Sequence, residues 1–405
     1  MTISALFFVI AAVICLGFAG SWIFRLTRIP DALLLIAAGF GLRALLGVEI
    51  GFVQTVAPYF GAFALLVILF EGGLHLEFEH MVRSWWHALR LLALSFALSF
   101  GLVFVVAKFA FGSPDLHAIL YAAAVACTSA AIVIPLVRQV HVDPRIRTVL
   151  ELESSLSDAL AILITVLVLN MTTSSGAMIG QLGSAIFSSL TGALLVGIGG
   201  GFLWLGILRK LAGQPLTYLM TFAGMLIVYG ISETIHSSGA LGVFIFGLTL
   251  SNGPAIVKQL VPDFKSEPLT QELGGMDIKG FHAELTFLVR TFFFVFLGML
   301  FSFEDLTPVL LLEGVVVYAV ILMARAVAVR WSRPSRPDPE THKSARALFL
   351  FIPRGLASAV LATLPASYGV YGTESLVPLT VLIILFTNLA ITVGIRWVET
   401  PKVTR

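Results

Sequence analysis

Long apolar runs, separated by short polar connectors, follow one another along the whole sequence. A helix that crosses a lipid bilayer needs about 20 consecutive, mostly apolar residues. The pattern predicts thirteen such helices, at 4–24, 31–47, 55–76, 86–111, 115–138, 147–170, 182–208, 217–235, 238–251, 281–303, 308–330, 345–366 and 374–396. The fold class expected from this pattern is an all-α, polytopic membrane protein.

Composition agrees with this class. Hydrophobic residues make up 58% of the chain and charged residues 12%, whereas a soluble domain carries about 25% charged residues. The first 24 residues lack a basic start and a small-residue cleavage site, so we expect a retained helix and not a signal peptide. Cys15 and Cys127 both fall in apolar runs, which suits neither a disulfide framework nor a zinc site. No cofactor is expected.

The basic residues predict the orientation. If the N-terminus lies outside, 20 of the 25 Lys and Arg residues fall in inner connectors or at inner helix ends. Cytoplasmic loops carry such an excess, so we expect the N-terminus outside, the C-terminus inside and an odd number of helices. The connectors are short, and we interpret residues 1–405 as a single membrane transporter domain without a soluble regulatory domain.

A polar stretch interrupts the sixth run. Residues 153–158 read Glu-Ser-Ser-Leu-Ser-Asp within an otherwise apolar segment from 148 to 170. Carboxylates at membrane depth are costly and mark ion or proton pathways by default. Ser154 and Asp158 share one helical face, and Glu153 lies about 140° away from Asp158. We expect an arginine to hold one carboxylate ionised and the other to exchange a proton for a cation. A purely architectural ion pair is the alternative role for Glu153.

Three arginines also fall inside predicted helices: Arg290, Arg325 and Arg354. A buried charge without a partner costs several kcal/mol, so each must be paired or hydrated. For Arg290 three arrangements are open: a pair with Glu284, a pair with Glu71, or exposure to an aqueous funnel.

The fifth and twelfth runs carry small and polar residues where a spanning helix is normally most apolar. Residues 127–135 contain Thr, Ser and Pro, and residues 353–358 contain Pro, Gly and Ser. Interrupted helices at corresponding places of two halves indicate an inverted-repeat transporter. We therefore expect a first repeat at 1–170, a linker helix at 182–208 and a second repeat at 217–396. Ordinary close packing through small residues is the alternative.

These motifs resemble those of the sodium/proton antiporters of the cation/proton antiporter superfamily. Residues 153–158 are similar to the family's Glu-Ser-x-x-Asn-Asp motif, and Phe-Glu-Gly-Gly-Leu at 70–74 resembles the end of its third helix. Arg325 occupies the place of its helix-eleven arginine, and Arg354 with Gly355 resembles its helix-twelve Arg-Gly. The likeness extends over nearly the whole chain.

The resemblance implies a role for each matching residue. Asp158 would bind either a monovalent cation or protons, with Ser154 and Thr128 as further oxygen ligands of that metal ion. Glu153 would pair with Arg325. The family fold implies a rigid dimerisation domain and a core that slides like an elevator, in a homodimer of the cell (inner) membrane. Its partners would be monovalent cations, protons and lipid, and no nucleic acid.

Two departures from the family pattern concern the ion. Ser157 replaces the Asn before the aspartate, and Ser129 replaces the usual Asp after the helix-five Thr. The Thr-Ser pair at 128–129 is more similar to potassium-linked relatives. With Asp158 as the only unpaired site carboxylate, electroneutral exchange of Na⁺, K⁺ or Li⁺ for H⁺ is expected. Arg354, Glu71 and Arg290 are further functional candidates.

Other classes make different demands on the sequence. A channel on the same fold needs a continuous polar lining, whereas these runs have discrete breaks. A transporter of organic anions would need basic residues at the site, an option that Arg354 leaves open. No metalloprotease-type His-Glu-x-x-His motif is present, so no catalytic residue is predicted and the protein is not expected to be an enzyme.

Restoring the carboxylate on helix five tests its role. We expect Ser129→Asp to shift the ion preference or the pH dependence of exchange, because a second carboxylate helps to strip water from a small cation. Exchange is measured with Na⁺, K⁺ and Li⁺ between about pH 6 and 9, the range in which a perturbed carboxylate can titrate. An unchanged profile would remove helix five from the ligand set.

Overall fold

The structure, a computed structural model, describes most of the chain, and every regular element among the described residues is helical. The described residues are 3–27, 29–46, 50–76, 78–140, 142–173, 182–211, 214, 216–260, 278–301, 306–332, 339–373 and 375–398.

Helical segments occur at all thirteen predicted places, which confirms the predicted fold class. The fifth and twelfth segments each consist of two half-helices, labelled a and b. The bounds are α1 Ile3–Thr27, α2 Asp31–Leu46, α3 Ile50–His75, α4 Phe78–Val105 with a π-helical turn at Val106–Ala110, α5a Asp115–Ala126, α5b Ala130–Gln139, α6 Pro144–Thr173, α7 Leu182–Lys210, α8 Thr217–Thr234, α9 Gly239–Leu260, α10 Ile278–Leu300, α11 Pro308–Ser332, α12a Pro339–Leu350, α12b Leu356–Ser367 and α13 Leu376–Val398.

Both predicted helix breaks are present. Between α5a and α5b the backbone is extended, with ψ values of 150° at Cys127 and 112° at Ser129. Between α12a and α12b the helix is interrupted from 351 to 355. Pro353 lacks an N–H and disfavours helical geometry in the residue before it, which accounts for the end of α12a at Leu350.

The helices have the length and composition of membrane spans. Among the described residues, eight helical stretches are long and apolar enough to cross a bilayer, and three shorter apolar helices accompany them. Most of the stretch Asp115–Gln139 is buried inside the protein, whereas most of Phe7–Thr27 and Ile186–Lys210 is not. The chain is a multi-pass helical membrane protein.

The first compact unit comprises Met1–Ala64, Ser84–Leu169 and Leu288–Arg405. One apolar core of this unit joins α4, α5a, α11, α12b and α13 through side chains such as Tyr121 and Val317. Both broken helices and α6 lie in this unit, so the candidate site is formed within it.

The second compact unit comprises Leu65–Arg83 and Asn170–Phe287. Here α7 and α9 approach closely through glycines: a Cβ on Gly197 would lie 2.7 Å from the Gly242 carbonyl oxygen. Small residues allow this close backbone approach in membrane helices. The division into compact units does not follow the predicted sequence repeats, which stay a prediction.

The close approach of the two breaks predicts a stability effect. A Cβ on Gly355 would collide with the Ser129 hydroxyl and lie 2.9 Å from Ile132 Cδ1. We expect Gly355→Ala to destabilise the protein by about 1–3 kcal/mol, because overpacking forces neighbouring atoms apart. The measurement is thermal unfolding in detergent. Gly101→Ala is the matched control, since no atom lies within 4 Å of its added Cβ; equal effects of both variants would contradict the close approach.

Candidate functional site

The two helix breaks meet in the interior of the first unit. We call residues 127–129 and 351–355 together the crossing. The Ser129 N–H donates to the Pro353 carbonyl oxygen over 2.8 Å, which joins the two breaks through their backbones. Thr128 N–H donates to the Ser157 hydroxyl of α6 over 3.0 Å, and that hydroxyl donates to Thr128 O over 3.3 Å. Three backbone groups freed by the fifth-helix break are thereby satisfied, as burial in an apolar environment requires.

Each half-helix that ends at the crossing is capped by a buried arginine. Arg354 donates from Nε to the Val125 carbonyl at the end of α5a, over 2.7 Å. Arg325 donates from Nε to the Leu348 carbonyl of α12a over 2.7 Å, and from Nη2 to Phe351 O over 3.2 Å. The last carbonyls of a helix lack partners and carry its partial negative charge, so a guanidinium there is favourable.

Glu153 is fully occupied by partners at the crossing. Its Oε1 lies 2.9 Å from Arg325 Nη1 and its Oε2 lies 3.4 Å from Nη2, so the pair is bidentate. The Thr128 hydroxyl donates to Oε1 over 3.2 Å and accepts from Arg354 Nη1 over 3.2 Å. Glu153, Arg325 and Arg354 are each 1% exposed. The structure therefore brings Glu153 and Arg325 together as an ion pair, with Thr128 linking the second arginine.

Asp158, which is 2% exposed, has a different environment. Its Oδ2 accepts the backbone N–H of Ala130 over 3.1 Å, at the N-terminus of α5b. Its Oδ1 has no hydrogen-bond partner among the described residues. The positive end of the α5b dipole thus stabilises one carboxylate oxygen, while the other stays available to a ligand.

The predicted serine ligands take different positions around Asp158. Ser154 lies one turn earlier on α6 and donates its hydroxyl to Glu151 O over 3.1 Å. Ser157 bridges α6 to the fifth-helix break. The Ser129 hydroxyl is buried and has no hydrogen-bond partner among the described residues. Ser129 and Asp158 thus each contribute a buried polar atom that could bind a ligand.

Arg290 has a partner that the sequence did not suggest. Its Nη2 lies 2.6 Å from Oδ2 of Asp31, at the start of α2, in a pair with side chains 14% and 8% exposed. Asp31 is thus a partner beyond Glu284, Glu71 and the aqueous funnel that the sequence suggested. Glu71 lies in the last turns of α3 and is half-buried in the second unit. Nothing in the sequence near Asp31 distinguishes it from an ordinary helix-starting aspartate, so only the fold identifies the pair.

A proline explains the second contact of Arg290. Pro135 has no N–H, so the Ala131 carbonyl four residues earlier lacks its helical donor. Arg290 Nη1 donates to this carbonyl over 3.3 Å. The guanidinium thus supports the first turn of α5b, next to the Ala130 N–H that binds Asp158.

The structure adds residues that sequence analysis missed. The Thr387 hydroxyl accepts a hydrogen bond from the backbone N–H of Arg354 over 3.0 Å. The side-chain amide of Asn388 donates to the backbone carbonyl of Arg354 over 2.9 Å. Ser95 accepts from Arg325 Nη1 over 3.0 Å. A signal was available, because Thr387 and Asn388 are polar neighbours inside an apolar span and buried polar groups need partners.

A buried crossing of two broken helices, with one carboxylate free of a salt-bridge partner among the described residues, is the arrangement typical of inverted-repeat transporters. A model of the family described as "Sodium/hydrogen exchanger, transmembrane" matches residues 3–399, and the chain belongs to this family.

The chain is similar in sequence to proteins named as K(+)/H(+) antiporters and to one named as a probable Na(+)/H(+) antiporter. The K(+)/H(+) antiporter NhaP2 of Shewanella oneidensis is 28% identical over 271 residues, which are 66% of this chain and 44% of that protein. The probable Na(+)/H(+) antiporter 2 of Methanocaldococcus jannaschii is 28% identical over 350 residues, 83% of this chain and 78% of that protein. The chain spans about half the length of the K(+)/H(+) antiporters it matches: 44% of NhaP2 from Shewanella oneidensis and 52% of NhaP2 from Shewanella sp. (strain ANA-3).

The fold also matches a solved structure. The sodium proton antiporter MjNhaP1 from Methanocaldococcus jannaschii at pH 8 superposes with a TM-score of 0.77 at 20% identity. The match covers 97% of this chain and 100% of that chain, which shows that the two share one fold.

The buried ion pair predicts a rescue experiment. Arg325→Ala leaves Glu153 charged and unpaired, and we expect a loss of about 3–5 kcal/mol in the free energy of unfolding. Adding Glu153→Gln removes that charge and should recover part of the loss. Recovery stays partial because Arg325 also caps two carbonyls. Thermal unfolding in detergent measures all variants.

Arg138→Ala is the control for this experiment. Its pair with Glu151 spans 3.0 Å with side chains 35% and 8% exposed, whereas those of the Arg325–Glu153 pair are 1% and 2% exposed, so its loss should cost less. A double variant no more stable than Arg325→Ala would show that the unpaired Glu153 charge is not the cause.

Proposed function

We propose that this protein is a secondary active antiporter that exchanges a monovalent cation for protons across the membrane. The observation that carries the proposal is the environment of Asp158: a buried carboxylate with one oxygen on a helix N-terminus and one oxygen without a hydrogen-bond partner among the described residues. Membership of the exchanger family supports it.

Competition for one carboxylate supplies the coupling. An ionised Asp158 can neutralise either a proton or a monovalent cation, but not both at once. A cation that arrives from one side displaces the proton, and a proton that arrives from the other side displaces the cation. Glu153 does not compete, because Arg325 and Thr128 occupy its oxygens. The exchange is therefore one for one and electroneutral.

Oxygen ligands complete the site in this proposal. Thr128, Ser129, Ser154 and Ser157 would supply hydroxyl or carbonyl oxygens to the cation at Asp158, the ligands that alkali cations share with other hard ions. Of these, the Ser129 hydroxyl is the one that has no hydrogen-bond partner within the described part of the chain. The proposed primary ligands of the transported monovalent cation are Asp158, Ser154 and Thr128.

Na⁺ and K⁺ are the two candidate substrates in this proposal. A single carboxylate with neutral oxygens provides less energy to dehydrate a small ion than two carboxylates do. The hydroxyl of Ser129, where the family usually has a carboxylate, favours the larger and more weakly hydrated K⁺. The similarity to K(+)/H(+) antiporters points in the same direction.

Alternating access follows from the same architecture. We infer that two inverted six-helix repeats form a mobile core and a rigid dimerisation domain, and that the core moves like an elevator in a homodimer. The protein lies in the cell (inner) membrane. Its N-terminus is outside and its C-terminus is in the cytoplasm, as the distribution of Lys and Arg favours. The cellular role is pH and cation homeostasis.

Removing the Asp158 charge tests the proposed function. We expect Asp158→Asn to abolish the cation-dependent dissipation of a pH gradient in proteoliposomes, because an amide neither releases a proton nor balances a cation. Asp115→Asn is the control, since Asp115 is a surface carboxylate 2.7 Å from Lys108 with a side chain 68% exposed. Retained exchange in Asp158→Asn would remove this residue from the mechanism.

A further inference from the structure

A buried thiol lies beside the cation site. Cys127 ends α5a, has extended backbone geometry and is 0% exposed. Its Sγ lies 3.5 Å from the Ser358 hydroxyl in the first turn of α12b and 3.6 Å from Ala124 O. The thiol is also a direct neighbour of the Asp158 carboxylate. Cys127 thus touches both broken helices and α6 at one point.

Two buried polar atoms without partners in the described part of the chain belong to residues near Cys127: Ser129 is two positions further along the chain, and Asp158 neighbours the thiol. Asp158 Oδ1 and Ser129 Oγ are both buried and have no hydrogen-bond partner among the described residues. The Ser129 side chain sits against Gly355, just before α12b. Buried polar groups are normally satisfied, so each of these two unsatisfied atoms indicates a missing ligand.

The contacts of the thiol itself are weak. Sulfur is a poor hydrogen-bond donor and acceptor, so its two contacts, at 3.5 and 3.6 Å, are weak. A bound cation would therefore displace little when it approaches Sγ and the Ser358 hydroxyl. The sulfur is also larger and more polarisable than an oxygen at the same position.

We propose that Cys127 and Ser358 belong to the ligand set of the cation that Asp158 binds, and that they bias the site toward a large, polarisable monovalent cation. This proposal rests on the proposed antiport function. The twelfth helix then contributes a ligand to the site in addition to its structural arginine. Soft sulfur ligands favour soft ions over hard ones, so Tl⁺ should bind in preference to Na⁺ and Li⁺.

The test compares Cys127→Ser and Cys127→Ala with wild type in proteoliposomes. For Cys127→Ser we expect the ratio of the apparent KM values for Tl⁺ and Na⁺ to rise by about fivefold, the effect of losing one weak contact. The maximal rate should change less than KM, because the carboxylate that carries the charge is intact. Ser358→Ala should raise the KM for both ions. Thallium nitrate, potassium nitrate and sodium nitrate are the probes.

Cys15→Ala is the matched control, because Cys15 is the other cysteine of the chain and lies exposed on α1. It should leave all KM values unchanged. Binding is measured independently as the cation-dependent rise in melting temperature of the detergent-solubilised protein, which follows ligand affinity without transport.

The outcomes separate the two proposals. If Cys127→Ser and Cys127→Ala both keep the wild-type ratio of Tl⁺ to Na⁺ in binding and transport, the thiol is not a ligand, and the antiport function stands. If wild type shows no cation-coupled proton movement, the antiport function is overturned. In that case the melting temperatures still decide whether Cys127 contacts a bound cation.

Discussion

The satisfaction of backbone groups released by two broken helices is the constraint on which the rest of this structure depends. A helix that stops inside a membrane exposes carbonyls and N–H groups that neither lipid nor apolar side chains can satisfy. Here the two breaks bond to each other, Ser157 bridges one of them to α6, and Arg325 and Arg354 cap the carbonyl ends. Two buried arginines are thereby fixed by backbone geometry, and their charges then dictate where carboxylates are needed.

Because the arginine charges need a partner, two carboxylates of α6, Glu153 and Asp158, have different roles. Glu153 neutralises Arg325 directly and reaches Arg354 through Thr128, so it is bound to the scaffold of the site. Asp158 faces the opposite end of a half-helix, where one N–H stabilises it. The separation of a structural carboxylate from a chemically available one follows from their positions on α6, since about 140° of helical rotation directs them to different neighbours.

Much of this arrangement could be predicted from sequence, because membrane helices leave strong signals. Apolar runs located thirteen segments, and the small and polar residues at 127–135 and 353–358 located both breaks. Partners distant in sequence could not be predicted in the same way. Asp31 pairs with Arg290 across 259 positions, and Ser95 binds Arg325 from a helix with ordinary composition. Such contacts depend on how helices pack, and helix periodicity alone does not determine that packing.

The central claim is that a cation and a proton compete for Asp158. The most direct measurement is proton release when Na⁺ or K⁺ is added to the purified, detergent-solubilised protein in weakly buffered solution. The account predicts release of about one proton per chain at a pH where Asp158 is protonated, since binding of the two ions is linked. This release should be lost in Asp158→Asn and kept in Glu153→Gln. Undiminished proton release from Asp158→Asn would contradict the account.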